Sequence, residues 1–391
     1  MHLAHLTLTN FRTFRSLDMD FQPGLHLVTA TNASGKTNLL EAIAMIATTK
    51  SPRSAADVDL VSWAAVEDDP LPVARLAAHV ETSGEAAGDA TDLAVAVVTR
   101  PAKGGEGMAA SRRFQVNGVA RRASDLIGRL RVVMFSASDL AIISGAPTIR
   151  RRFMDLTISQ FEPAYVRASQ RYARVLQQRN SLLRRLQERR GDAAELDFWD
   201  DEAATAGAVI ISSRAQALAS LGRDAAERYA ELSPGGDELE VRYRPELPPD
   251  LAESPSAPGI EGRFRDALRE ARTIDIRAGV TRIGPHRDDV GFLLGGHDAG
   301  AFASRGEQRS LALALRLGEV ALSTGQTGDP PLLLLDDILS ELDAERRERV
   351  LAVAYGVDQV FVTSPDADRP SEDELPNARR YGIADGELVP R

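Results

Sequence analysis

Residues 332–343, LLLLDDILSELD, constrain the chain more than any other stretch. Four consecutive leucines lack the alternation of a half-exposed strand and fit a strand buried on both faces, as in a parallel sheet covered by helices. Asp336 and Asp337 follow at its C-terminal end, where open α/β sheets bind ligands. Two carboxylates in such a place are costly unless a cation or a proton offsets them. A hydrated Mg²⁺ held beside phosphates is the usual partner. A core strand ending in an Asp-rich turn accounts for the same residues and stays open as an alternative.

The chain has 391 residues, 43% hydrophobic and 27% charged, enough for a substantial core in two or three domains. It has no cysteine, which excludes disulfides, thiolate metal sites and cysteine nucleophiles. No apolar run approaches the ~18–20 residues that span a bilayer. The start, MHLAHLTLTNF, lacks the layout of a signal peptide, so a cytosolic protein without membrane contact is expected. The net charge of −10 means that any contact with nucleic acid needs a local basic patch. Lysine occurs only at Lys36, Lys50 and Lys103, and Lys36 falls in a candidate phosphate loop.

That loop follows an apolar strand, Leu25 to Thr29, itself preceded by strands around Leu3 to Leu8 and Leu17 to Phe21. It reads Ala30-Thr31-Asn32-Ala33-Ser34-Gly35-Lys36-Thr37-Asn38 and opens a helix carrying Leu39, Leu40 and Ile43. Strand, tight loop, Lys-Thr and helix form the context in which backbone N–H groups cradle phosphate, Lys36 reaches the terminal phosphates and Thr37 ligates Mg²⁺. The glycine-rich pattern would place glycine at position 30, where the chain has Ala30, with a further alanine at Ala33. A positive φ at either would cost roughly 1–2 kcal/mol. A helix-start turn that happens to contain Gly-Lys-Thr is the alternative.

Ala74 to Glu81 and Leu93 to Thr99 read as strands of a β-rich subdomain. Arg112, Arg113, Arg121 and Arg122 flank a hairpin with an Asn117-Gly118 turn, either a solvated basic face or a polyanion contact. Helices are expected after Pro147 and from Pro163 to about Arg190, with a further amphipathic segment over roughly Leu196 to Leu232; a longest helix of about 40 Å is expected, in an arm of two packed helices. Residues 233–258 read as a β-hairpin plus loop, and Phe264 to Arg272 as a helix from which Ile274 to Ile283 returns to the sheet. His286, in Gly284-Pro285-His286-Arg287-Asp288-Asp289, reads as part of a structural turn. Ser304 with Glu307 satisfies a capping box before an amphipathic helix; the same helix start could instead face a phosphate.

Taken together, the blocks resemble the RecF family, within the SMC-like branch of ABC-type ATPase heads. The residues that carry the likeness are Asn10-Phe11-Arg12, Gly35 to Ala42, Arg150 to Asp155, Gln178 to Leu183, Gly284 to Asp289, Gly306 to Arg309 and Leu335 to Asp343. The resemblance implies an α/β P-loop head with a β-rich subdomain and a short helical arm inserted between its halves. The expected division is 1–146, 147–272 and 273–391. It also implies an ATP- and Mg²⁺-dependent homodimer that clamps DNA and cooperates with a RecR-type mediator protein. By the same likeness Lys36 and Thr37 hold phosphate and metal, Asp336 ligates the metal and Asp337 polarises water. Arg12 and the loop residues 30–38 contact nucleotide, while Ser304, Gly306 and Gln308 complete the partner's site. Arg12, Arg113 and Arg152 are candidates for contact with DNA phosphates. A transporter ATPase subunit, and a scaffold with a decayed phosphate loop, are the competing readings.

Overall fold

The structure, a computed structural model, describes residues 1–31, 33–53, 56–82, 90–102, 107–248, 259–368, 370–384 and 386–391. Strands and helices are numbered along the chain. The polypeptide forms two compact units, one of Met1–Asp139 with Glu319–Arg391, the other of Leu140–Gly318. The expected division differs from this: residues 273–318 belong with the inserted helical unit.

The first unit holds two six-stranded sheets. One is antiparallel, in the order β2 (Phe14–Asp20), β1 (His2–Phe11), β4 (Val73–Glu81), β5 (Ala90–Pro101), β6 (Met108–Val116) and β7 (Val119–Arg121). Asn117 and Gly118 both take positive φ in the β6–β7 turn, the geometry that a two-residue hairpin needs. The other runs β15 (Glu387–Pro390), β14 (Arg379–Ala384), β3 (Gly24–Ala30), β13 (Gln359–Pro365), β12 (Leu332–Asp336) and β8 (Val132–Ser136). It is parallel except for its β15 edge. The four leucines of β12 are fully buried between two parallel neighbours, as their unbroken apolar run requires. Helix α1 (Lys36–Thr48) is buried almost all round because one core takes in Leu6 and Phe11 of one sheet, Leu334 and Phe361 of the other, and its own Leu39 and Ile43.

His26, on β3, is wholly buried, stacked on Phe361 with ring centroids 4.8 Å apart. Its Nε2 is 2.7 Å from the Gln22 carbonyl and its Nδ1 is 3.2 Å from the Tyr381 hydroxyl. Burial brings its pKa down to about 4. Because the folded value lies below the unfolded one, its stability contribution is complete above about pH 6.5 and is lost as pH falls toward 4, by up to roughly 3 kcal/mol. Urea midpoints at pH 7 and pH 5 should therefore diverge more for the wild type than for His26→Phe.

In the inserted unit, α2 (Pro147–Ser159) precedes α3 (Pro163–Gln187) and α4 (Leu196–Leu232). At 37 residues α4 is the longest helix, about 55 Å by its rise per residue, and exceeds the sequence expectation of about 40 Å. The arm has a third member. Helix α5 (Ile260–Ala278) packs on both α3 and α4, running six residues past the expected end at Arg272 to a cap at Gly279, φ 69°. The expected local hairpin is absent among the described residues of 233–258. Instead β9 (Leu239–Arg244) pairs with β10 (Asp289–Leu294), which also pairs with β11 (His297–Asp298); residues 249–258 lie outside the described residues.

Helices α3, α4 and α5 are joined through Arg179, which is fully buried. Its Nε donates to Asp200 and its Nη1 to Asp275, both at 2.7 Å and both carboxylates buried, and Nη1 also reaches Thr281 Oγ1 at 2.7 Å. Removing one member of such a group leaves an uncompensated buried charge. Arg179→Met should cost about 3–5 kcal/mol in urea unfolding followed by Trp199 fluorescence in a Trp63→Phe background.

Candidate active site

β13 lies between β3 and β12, so the C-terminal ends of three parallel strands open onto one place in the first unit. β3 delivers the phosphate loop, β12 delivers Asp336 and Asp337, and β13 delivers Thr363. Thr37 Oγ1 donates to Asp336 Oδ1 at 2.9 Å, across 299 residues of sequence. The Thr363 hydroxyl donates to the same oxygen at 3.0 Å and accepts the Asp337 N–H at 2.9 Å. Burial raises the Asp336 pKa; the hydrogen bonds from Thr37 and Thr363 oppose that shift and neighbouring Asp337 adds to it.

The loop's two alanines behave differently. Ala30 ends β3 in register with Pro365, an extended position that asks nothing of a glycine. Ala33 has φ 66°, so the strain falls there alone. Gly35 has φ 109°, and a Cβ on it would stand 2.4 Å from Thr13 Oγ1. Lys36 is buried, its Nζ donating to the carbonyls of Ala30 at 2.9 Å and Thr31 at 3.2 Å. Among the described residues of this loop and the aspartate turn, two buried oxygens find no hydrogen-bond partner, Ser34 Oγ and Asp337 Oδ1. Asp337 itself sits at φ 52°. Asn32 lies outside the described residues.

These groups fit a magnesium ion held with phosphate. Thr37 and Asp336 would supply two protein oxygens to such an ion, the rest of its shell coming from phosphate and water. The 2.9 Å separation of Thr37 Oγ1 and Asp336 Oδ1 equals the spacing of adjacent ligands around an octahedral ion at about 2.0–2.1 Å.

Around this centre lie Glu41 and Arg53, to which the sequence reading gave no role, beside Arg12 and Asn38, to which it did. Glu41, fully buried on α1, takes Arg12 Nε at 3.1 Å and Nη2 at 2.8 Å and the Ser51 hydroxyl at 2.5 Å. Arg12 Nη1 donates to the Asp59 carbonyl at 2.7 Å, so this arginine, expected at nucleotide and DNA, is engaged in tying the β1–β2 turn to α1. Asn38 donates to Thr13 Oγ1 at 3.0 Å and accepts from Arg53 at 3.2 Å. The charge of Arg53 is felt at Asp336. Arg113 is exposed on β6, cross-strand from Ala96.

In the inserted unit, Ser304 and Glu307 form the reciprocal capping box, Ser304 N–H to the carboxylate at 2.7 Å and Glu307 N–H to the hydroxyl at 3.3 Å. Ser304 and Gly306 are exposed at the start of α6 (Arg305–Thr327), and a Cβ on Gly306 would meet nothing closer than 3.9 Å. Gln308 is different: its side chain is buried and donates to the carbonyls of Ala299 at 3.1 Å and Gly300 at 3.4 Å. It fastens the preceding turn instead of facing outward. Arg152 is exposed on α2. His286 is held between the Tyr172 hydroxyl at 2.9 Å and the Thr281 carbonyl at 3.0 Å, and burial lowers its pKa, in keeping with a structural turn.

A family model described as the RecF/RecN/SMC N terminal domain matches residues 2–373. A protein named DNA replication and repair protein RecF from Chloroflexus aurantiacus is 42% identical, covering 99% of both chains. The chain belongs to the RecF family. Its namesake from Herpetosiphon aurantiacus is 41% identical over the whole of both chains. A solved structure of the recombination mediator protein RecF with ATP, of the RecFOR pathway, superposes with a TM-score of 0.85 at 28% identity, covering 100% of this chain and 97% of that one. The Smc head domain from Pyrococcus furiosus, at 17% identity and a TM-score of 0.52, shares the fold. The architecture is accordingly that of an SMC-like ABC-type ATPase head, and no described helix is long and apolar enough to cross a membrane.

The loop geometry sets opposite expectations for two substitutions. Ala33→Gly relieves about 1–2 kcal/mol of strain against about 0.5–1 kcal/mol of added unfolded-state entropy, so it should stabilise slightly. Gly35→Ala should weaken fluorescent-ATP binding at least ~10-fold, since its Cβ would collide with Thr13.

Proposed function

We propose that this chain is an ATP-driven switch on DNA, acting in replication and in recombinational repair of single-strand gaps, including the SOS response. The observation that carries the reading is the hydrogen bond between Thr37 and Asp336, which joins the phosphate loop to the aspartate strand at the edge-sharing distance of a metal site.

In this reading the loop amides and Lys36 bind the triphosphate, with Lys36 exchanging the Ala30 and Thr31 carbonyls for phosphate oxygens. Thr37 and Asp336 hold Mg²⁺, which screens phosphate charge when bound. Asp337 orients and polarises the attacking water, and its unpartnered buried Oδ1 is the acceptor for that task. A shorter side chain than the glutamate usual in ABC heads suits slow turnover. Ser304 and Gly306 complete the site of a second copy: both are exposed, and no neighbour among the described residues explains the glycine. The dimer then forms with ATP and parts after hydrolysis, a population shift set by differential affinity.

DNA contact falls to exposed arginines such as Arg113 and Arg152, since the net charge of −10 gives no general attraction. Phosphate contacts of this kind favour structure over sequence and weaken steeply with salt. A RecR-type mediator is the expected protein partner, in line with the pathway named for the RecF structure.

Sedimentation with and without ATP and duplex DNA tests the reading. The wild type should dimerise only with ATP and bind DNA with a steep salt slope. Lys36→Met should stay monomeric and lose at least ~10-fold in ATP affinity. Asp337→Asn should bind ATP and dimerise yet hydrolyse at least ~100-fold more slowly. No change in assembly between the wild type and Lys36→Met, with or without ATP, would support the scaffold reading instead.

A further inference from the structure

We infer that Thr363 is a positioning residue that sets the geometry of both aspartates, holding the metal-binding oxygen of Asp336 and the backbone of Asp337 with a single hydroxyl. The inference rests on the nucleotide-site reading above.

Thr363 is fully buried at the C-terminal end of β13, the strand between the two that carry the phosphate loop and the aspartates. Its one hydroxyl proton goes to Asp336 Oδ1 at 3.0 Å; the Leu335 carbonyl, at 3.4 Å, is the poorer alternative. Its lone pair takes the Asp337 N–H at 2.9 Å. Each half of this arrangement controls something. Thr37 and Thr363 both address Oδ1, so the carboxylate is pinned by two donors. If the Thr37 hydroxyl turns its oxygen to a metal, the Thr363 donor still holds Asp336 in place. Asp337 meanwhile occupies φ 52°, a conformation that aspartate enters only with local support. The bond from its N–H to Thr363 gives that support on one side and the bond from Ser340 Oγ to its carbonyl, 2.9 Å, on the other; the carboxylate so aimed has an Oδ1 without a hydrogen-bond partner.

Valine matches threonine in volume and β-branching, so Thr363→Val removes the hydroxyl with little change in packing. Thr363→Ser keeps the hydroxyl. The primary measurement is fluorescent-ATP binding titrated with Mg²⁺ under conditions without turnover; single-turnover hydrolysis is the second. With Thr363→Val, nucleotide affinity at saturating Mg²⁺ should stay within about threefold of wild type, while the Mg²⁺ midpoint rises ~10-fold or more and hydrolysis slows ~10-fold or more, the scale of one lost hydrogen bond to a charged group. Thr363→Ser should return both to within about threefold of wild type. If Thr363→Val fails to fold, Thr363→Ala supplies the same loss of hydroxyl.

An unchanged Mg²⁺ midpoint in a folded variant without the hydroxyl overturns the inference. So does a Thr363→Ser variant as impaired as Thr363→Val, which would assign the residue to packing. A wild type that binds nucleotide with Mg²⁺ but never hydrolyses it would count against the switch and leave the Mg²⁺ midpoint as the deciding result for Thr363.

Discussion

The parallel pairing of β3, β13 and β12 is the constraint on which the site depends. Parallel strands point their C-terminal ends the same way, and three adjacent ends here bring a loop, a hydroxyl and two carboxylates to one spot. The pairing is set by burial: every side chain from Leu332 to Leu335 is inaccessible, and a shift of register would move Thr363 away from Asp336. The antiparallel sheet and α1 serve the same end by covering the parallel sheet and holding the phosphate loop against it.

Much of this was legible in the chain itself. The leucine run, the Lys-Thr helix start and the hairpin at Asn117-Gly118 each have one dominant physical solution, and the structure adopts it. What escaped were features decided by tertiary neighbours. Ala30 and Ala33 look alike as departures from a glycine pattern, yet only a backbone angle separates the unstrained one from the strained one. Gln308 sits at the right offset to face a ligand, but its amide finds two carbonyls within its own unit. Arg12 resembles a free surface arginine until Glu41, 29 positions away, takes its guanidinium. Helix α5 continues past Arg272 to Ala278, and the buried Asp275 in that extension is compensated by Arg179.

The same contrast explains several blocks that carry the family likeness. Arg179 and Gly284-Pro285-His286-Arg287-Asp288-Asp289 could be taken for chemistry, being rich in charge. In the structure they are framework. Arg214 donates to the Pro285 carbonyl at 2.6 Å, to Asp288 at 3.1 Å and to Asp155 at 2.8 Å, and Tyr243 also bonds to Asp288. Gly284 lies where a Cβ would stand 2.6 Å from the Tyr172 hydroxyl and 2.8 Å from the Phe264 ring. Charge-rich motifs can thus serve the needs of a polar interior as readily as those of catalysis.

The register that joins Gly24 to Gln359 has a bearing on how the molecule is made. Ribosomes add about 5–20 residues per second, so β3 waits roughly 20–70 s after its synthesis for the strand that will lie beside it. Through that interval β3, an apolar ribbon, has no parallel neighbour to pair with. Long-range parallel pairing is slow to form and aggregation-exposed meanwhile, so the nucleotide site is among the last parts of the molecule that can assemble.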